Sequence, residues 1–166
     1  MHFRGKLYRA LNPIYSHEPL SGIGARKYGG RFNPKGTAAL YAATSFQTAI
    51  REANQVGDLQ PTTIVSYDGD FENIFDSRDL SELKRFGMTL SDLADPRWRD
   101  QMRILGKAKT QAFAENLIAE GFPGLLVRSF VRGATDDDLN LVLWNWSDAL
   151  PNKITLIDDD GRLTKI

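Results

Sequence analysis

An arginine set directly after two glycines, Gly29-Gly30-Arg31, is the first place in this sequence where chemistry can be expected. Adjacent glycines remove two Cβ atoms, so the backbone can turn sharply and offer its N–H groups to an anion. A guanidinium beside such a turn can grip a phosphate or diphosphate through two parallel hydrogen bonds. The same tripeptide also serves ordinary hairpin loops, because glycine pairs are turn formers. The weight therefore falls on what accompanies it: Tyr41 in a short apolar run, Glu52 in a helical pattern, and Ser129 and Asn140 far downstream.

One cation, one aromatic ring, one carboxylate and small polar groups around a glycine turn suit one reaction well. Cleaving the bond between nicotinamide and ribose in NAD+ builds positive charge on the ribose, much as glycoside cleavage does. A carboxylate under that ribose holds a hydroxyl and stabilises the developing cation, an aromatic ring packs on the nicotinamide, and an arginine fixes the diphosphate. Nicotinamide is a good leaving group, so no strong general acid is required. Arg31, Tyr41 and Glu52 fit the three roles. The plain alternative for Glu52 is a solvated helix carboxylate, since glutamate is seldom buried.

Other chemistries find less support. Ser129 has no histidine partner in a nucleophile-elbow setting, because His2 and His17 both lie in the first segment. In a phosphate site its hydroxyl can orient Arg31 or donate to a phosphate oxygen; otherwise it ties off a strand end. Asp136-Asp137-Asp138 suggests Mg2+, but successive acids in a loop point in different directions, and a solvated turn is the simpler reading. Gly22-Ile23-Gly24 lacks the flanking strand and helix of a dinucleotide fingerprint. With two histidines and no cysteine, no metal site is expected.

The elements that must position these groups follow from pattern. Leu7-Tyr8-Arg9-Ala10 reads as a first strand closed by Asn12-Pro13. A long loop then runs to about Ala38, with a helical turn possible over Ser21 to Tyr28. So long a connection suggests function, and it is expected to wrap one side of a cleft. Leu40-Tyr41-Ala42-Ala43 reads as a buried strand, and Ser45 as the N-cap of a helix to about Val56. Phe46, Ala49, Ile50 and Ala53 recur at i, i+3, i+4, i+7 and define its core face. At about 100° per residue, Glu52 lies at the margin of that face.

Thr62 to Tyr67 is β-branched and aromatic and reads as a strand ended by an Asp68-Gly69-Asp70 turn. Phe71 to Phe75 reads as a short further strand, and Leu80 to Leu93 as one or two short helices broken at Gly87. Asp95-Pro96 opens a long helix to Glu120, with Trp98, Met102, Leu105, Ala112 and Phe113 on its core side. Arg97, Arg99, Arg103, Lys107 and Lys109 read as a solvated face, with a partner or RNA surface second. Leu125 to Phe130 and Leu139 to Trp144 are strands, the latter setting Asn140, Val142 and Trp144 against leucines; Ile154 to Ile157 is a possible edge strand. The fold class is α+β, a single domain over 1–166 with mixed β-sheets and flanking helices.

Composition sets the outer bounds. A chain of 166 residues is long enough for one respectable core. Twenty-one basic residues balance 21 acidic ones, so there is no global basic field of the kind that binds a duplex. The absence of cysteine fits a reducing compartment. The first residues lack the apolar core of a secretion signal, and no apolar run approaches the roughly 20 residues of a membrane span. A soluble, cytoplasmic protein is expected.

Taken in order, Tyr8-Arg9-Ala10, Leu20 to Ala25, Gly29 to Gly36, Leu40-Tyr41-Ala42 and Ala49-Ile50-Arg51-Glu52 resemble the RES-domain family, named for its Arg, Glu and Ser. The resemblance continues at Arg128-Ser129 and Asn140 to Trp144, and so covers nearly the whole chain. The naming positions are Arg31, Glu52 and Ser129. The resemblance implies an ADP-ribosyltransferase-like fold around an NAD cleft and an NAD+-consuming toxin of a bacterial toxin–antitoxin pair. On that basis Arg31, Tyr41 and Glu52 form the catalytic core, and Ser129 and Asn140 complete an NAD+ pocket with Arg31, Tyr41 and Gly30. It also implies a cognate antitoxin covering the cleft, contact with nucleic acid only through that antitoxin, and no membrane partner. Water, phosphate or a protein, such as an enzyme of nucleotide biosynthesis, stands open as acceptor. Two readings of other classes compete: a non-catalytic nucleotide or ADP-ribose binding module, and an interaction protein using its basic helix.

Overall fold

Alternation along Leu139-Asn140-Leu141-Val142-Leu143 decides the layering, because successive strand residues point to opposite faces of a sheet. The computed structural model describes residues 1–55 and 57–163. Leu141 and Leu143 join one buried cluster with Leu7, Leu40, Tyr67 and Phe71, while Val142 joins a second with Phe32, Phe75, Phe113 and Leu125. Each cluster covers one face of a single sheet that all the named strands share.

The strands are β1 (Phe3–Leu11), β2 (Leu40–Ala43), β3 (Thr63–Phe71), β4 (Phe75–Asp76), β5 (Gly124–Arg128), β6 (Leu139–Leu143) and β7 (Asn152–Leu156). They form a seven-stranded sheet in the order β4-β5-β6-β2-β1-β3-β7, antiparallel throughout except for the β4–β5 pair. The helices are α1 (Ile23–Tyr28), α2 (Phe46–Ala53), α3 (Leu80–Arg85), α4 (Leu90–Ala94), α5 (Trp98–Leu105) and α6 (Lys109–Ala119). The class is α+β, as the sequence pattern requires. Among the described residues no helix is long and apolar enough to cross a membrane.

Three local expectations are corrected. Asp68-Gly69-Asp70 does not turn; β3 runs straight through it, because β1 pairs along one edge and β7 along the other. Lys6 bonds Asp68 and His2 bonds Asp70 across the β1–β3 pair, which offsets the weak strand propensity of aspartate. Secondly, the long helix from Asp95 to Glu120 is two helices. Gly106 at φ 83° closes α5 in a left-handed cap, and Leu105, placed on the core side by the pattern, is 74% exposed. The break re-aims α6, which buries Thr110, Gln111, Phe113, Ala114 and Leu117. Pro96 precedes the helix rather than opening it, and the Asp95 carboxylate takes the Arg97 N–H.

Thirdly, α2 is rotated from the expected face. Ser45 caps it as predicted, accepting from the Thr48 N–H. Its buried residues, however, are Thr48 and Ala49, while Phe46 and Ala53 are exposed. Phe46 instead meets Tyr8 edge to face, with centroids 6.1 Å apart. The helix ends at Ala53, and the expected boundary, Val56, lies outside the described residues. The rotation brings Glu52, one turn after Thr48 and Ala49, to the inner side.

Candidate active site

Glu52 reaches the sheet surface from α2, and the sheet receives it with two donors. Asn140, on β6, gives its amide Nδ2–H to Glu52 Oε1 at 2.5 Å. Ser129, the residue after β5, gives its hydroxyl to the same oxygen at 2.6 Å. The other carboxylate oxygen accepts from the side-chain amide of Gln55 at 2.8 Å. The helix is itself pinned: Thr48 donates to Asp138 Oδ1 at 2.7 Å, and Asp138 also accepts the Thr135 N–H. The Thr135 bond comes first in holding the Asp138 carboxyl below its ordinary value. Asp136 pairs with Arg128 at 2.9 Å, so Asp136 and Asp138 serve separate bonds. No group of three His, Cys, Asp or Glu among the described residues is placed to hold a metal.

Arg31 enters from the glycine turn. Its Nη1 donates to the carbonyls of Leu93 and Asp95, at 3.1 and 2.9 Å, where α4 ends. These carbonyls are the open acceptors of a helix C-terminus, a natural seat for a cation. The guanidinium carbon lies 5.1 Å from the Phe130 ring centroid and 5.9 Å from that of Trp98. Burial lowers the Arg31 pKa first of all; the Glu52 charge opposes this and the Arg99 charge adds to it. Arg31 and Glu52 both line one cavity of about 460 Å3, with Tyr41, Asn140, Trp98 and Phe130. Apolar walls with a few convergent polar groups are what small-ligand sites offer.

The glycine turn works differently from the expected anion cradle. The N–H of Gly30 bonds the carbonyl of Asn33 at 2.9 Å and that of Gly29 bonds the carbonyl of Ala25 at 2.8 Å, so neither is left for a ligand. The need for glycine is steric. A Cβ at Gly30 would fall 2.5 Å from the Tyr41 hydroxyl and 2.6 Å from Asn33 Oδ1. Gly30 lines the cavity beside Arg31, whose guanidinium is the cationic group of the turn.

Tyr41 is likewise committed. Its ring borders the cavity, while its hydroxyl donates to Asn33 Oδ1 at 2.7 Å and accepts the Phe32 N–H at 3.0 Å. Burial pushes its pKa up, so it stays a neutral phenol. Asn33, fully buried, also donates to the carbonyls of Ala25 and Thr37. Gln111, equally buried, donates to the carbonyls of Gly30 and Asn33 and accepts from Ala108. This closed network fixes the backbone from which Arg31 projects.

Ser129 is corrected too. It neither orients Arg31 nor borders the main cavity; it stands 7% exposed behind Glu52 and fixes that carboxylate. Residues 20–25 stay outside the cavity as well and brace the turn from behind, Arg9 bonding the carbonyls of Pro19 and Ser21 and Trp146 that of Leu20. Asn33, Gln111, Gln55 and the Trp98–Arg99 pair are absent from the sequence-derived site. Periodicity puts Trp98 in the core, and it is buried, yet its ring also walls the cavity. Buried amides such as Gln111 leave no pattern in a single sequence.

The turn-borne arginine and the helix-borne glutamate thus face one cavity on a mixed sheet, with a serine fixing the glutamate. Residues 6–165 match the RES domain family, and the chain belongs to it. Over 86 residues, 52% of this chain, it is 36% identical to Toxin Res of Yersinia enterocolitica; the match spans 45% of that relative's length. Its fold is similar to that of a chain in the crystal structure of the M. tuberculosis MbcT–MbcA toxin–antitoxin complex. The TM-score is 0.69 at 20% identity, covering 95% of this chain and 84% of the other.

Proposed function

We propose that this protein is the toxin of a toxin–antitoxin pair and breaks the nicotinamide–ribose bond of NAD+ in the cytoplasm, passing ADP-ribose to an acceptor. The observation that carries the reading is the fixed carboxylate of Glu52, held by Ser129 and Asn140 on the same cavity that Arg31 lines. The names of the similar proteins, one a toxin and one from a toxin–antitoxin complex, support the biological role.

In this reaction the C1′–N bond breaks with its electron pair leaving on nicotinamide, and positive charge grows on the ribose. Glu52 stabilises that charge and accepts from a ribose hydroxyl; its rigid mounting means that no reorganisation is needed as charge develops. Arg31 holds the diphosphate through Nε and Nη2, which have no partner among the described residues. The ring of Tyr41 packs on the nicotinamide. An acceptor oxygen or nitrogen then bonds C1′ and gives up its proton. Water, phosphate and a protein side chain each complete the balance.

The test is to follow free nicotinamide after adding NAD+. Wild type releases it, Glu52→Gln and Arg31→Ala do not, and mass spectrometry of the products identifies the acceptor. Saturable binding with NAD+ recovered intact would instead define a non-catalytic nucleotide module.

A further inference from the structure

The five basic residues between Arg97 and Lys109 do not share one fate. Arg97 pairs with Asp95, Arg103 with Asp100, Lys107 with Glu115 and Lys109 with Asp92, at 2.6 to 3.3 Å. Among the described residues Arg99 has no carboxylate partner at all. Its guanidinium carbon lies instead 4.4 Å from the Trp98 ring centroid, and it lines the cavity that holds Arg31. Trp98, 8% exposed, thus carries two cations, since Arg31 approaches the same ring at 5.9 Å. Both guanidinium groups gain from the face of an indole ring.

Two like charges over one cavity repel each other, and the Arg99 charge adds to the burial that depresses the Arg31 pKa. The acids that face Arg31 are Glu52 and Asp95, and both are committed elsewhere: Glu52 to Ser129 and Asn140, Asp95 to Arg97 and Gln101. Neither forms an ion pair with Arg31 or Arg99. A ligand bearing two adjacent negative charges relieves that repulsion.

Given the reading of the cavity as an NAD+ site, we infer that Arg99 is a second diphosphate ligand, Arg31 taking one phosphoryl group and Arg99 the other, with Trp98 as their shared platform. The recognised class is a diphosphate ester of a nucleoside.

ADP-ribose retains the diphosphate and lacks the bond to nicotinamide, so its binding reports on the clamp without turnover. In calorimetry, Arg99→Ala weakens ADP-ribose binding by about tenfold or more, the scale of one lost charge-assisted hydrogen bond. Arg99→Lys recovers part of the loss, and Arg103→Ala, which removes a paired cation from the same helix, binds as wild type. With NAD+ as substrate, Arg99→Ala raises KM and leaves kcat within about twofold, the signature of uniform binding. Unchanged ADP-ribose affinity in Arg99→Ala, an equal loss in Arg103→Ala, or no binding by wild type overturns the inference. Arg99-dependent binding in a protein that releases no nicotinamide sinks the reaction and keeps the clamp. Nicotinamide release with Arg99-independent binding does the reverse.

Discussion

The hydroxyl of Ser129 lies 2.6 Å from Glu52 Oε1, a contact that joins residues 77 positions apart in sequence. With the Asn140 amide on the same oxygen, it turns a helix carboxylate into a group of fixed direction. Ser129→Ala removes one charge-assisted bond, about 1.5–3 kcal/mol. Because the bond aims Glu52 rather than touching the reacting atoms, nicotinamide release should slow by about 10- to 100-fold. Ser129→Thr retains the hydroxyl and should recover much of the rate. Equal rates in Ser129→Ala and wild type would show that Glu52 holds its position without it.

Gly30→Ala tests whether the glycine turn is there for space. The added methyl group collides with the Tyr41 hydroxyl and Asn33 Oδ1, and both belong to a packed network with little room to shift. A destabilisation of about 1–3 kcal/mol is expected from such overpacking, read from urea unfolding. Nicotinamide release should fall further than stability, because the turn carries Arg31. A variant as stable and active as wild type would show that the backbone there yields.

Alkali should act on two buried phenols, Tyr41 of this network and Tyr67, whose hydroxyl bonds the Pro19 carbonyl elsewhere in the fold. Burial raises Tyr67 from 10.0 to about 12, and raises Tyr41 as well. As pH climbs past 10.0 the unfolded chain releases these protons before the folded one. The folded state then binds more protons, so stability is full below that point and falls above it. Tyr41→Phe should cost about 1–3 kcal/mol at neutral pH by stranding Asn33 Oδ1 and the Phe32 N–H, and should flatten the alkaline decline. Parallel alkaline curves for the two proteins would contradict this account.

Asp95 gives the opposite sign. Its bonds to the Arg97 side chain, first among the causes, hold its carboxyl at about 2, below the ordinary 3.8. Stability from this group is present above 3.8 and is lost as pH falls through about 2. Its carboxyl resonance in an NMR titration should show that low midpoint, and Asp95→Asn should flatten the acid limb of the stability curve. A midpoint at the ordinary value would mean that Arg97 does not hold it in solution.

Much of the site was legible because residue type and local period carry direct physical meaning. Gly29-Gly30-Arg31 marks a turn that only small residues permit, and Ser45 marks the start of the helix that carries Glu52, although the face that helix buries is not the one its period suggests. The alternation in β6 likewise separates Asn140 and Val142 from the leucines. Local pattern misled where distant partners decide the outcome. Asp68-Gly69-Asp70 looks like a turn until two neighbouring strands take up its backbone bonds, and the helix period runs through Gly106 although the chain bends there.

The amino-acid order by itself determined the strand and helix periods, the glycine turn and the supply of one cation, one phenol and one carboxylate. Only the tertiary structure decided which contacts these groups make: Ser129 to Glu52, the Tyr41 hydroxyl to Asn33, and Arg99 over the Trp98 ring with no carboxylate partner among the described residues. The reason is physical. Periodicity is a property of neighbours along the chain, whereas a buried polar group takes whatever partner the packed sheet and helices bring within about 3 Å.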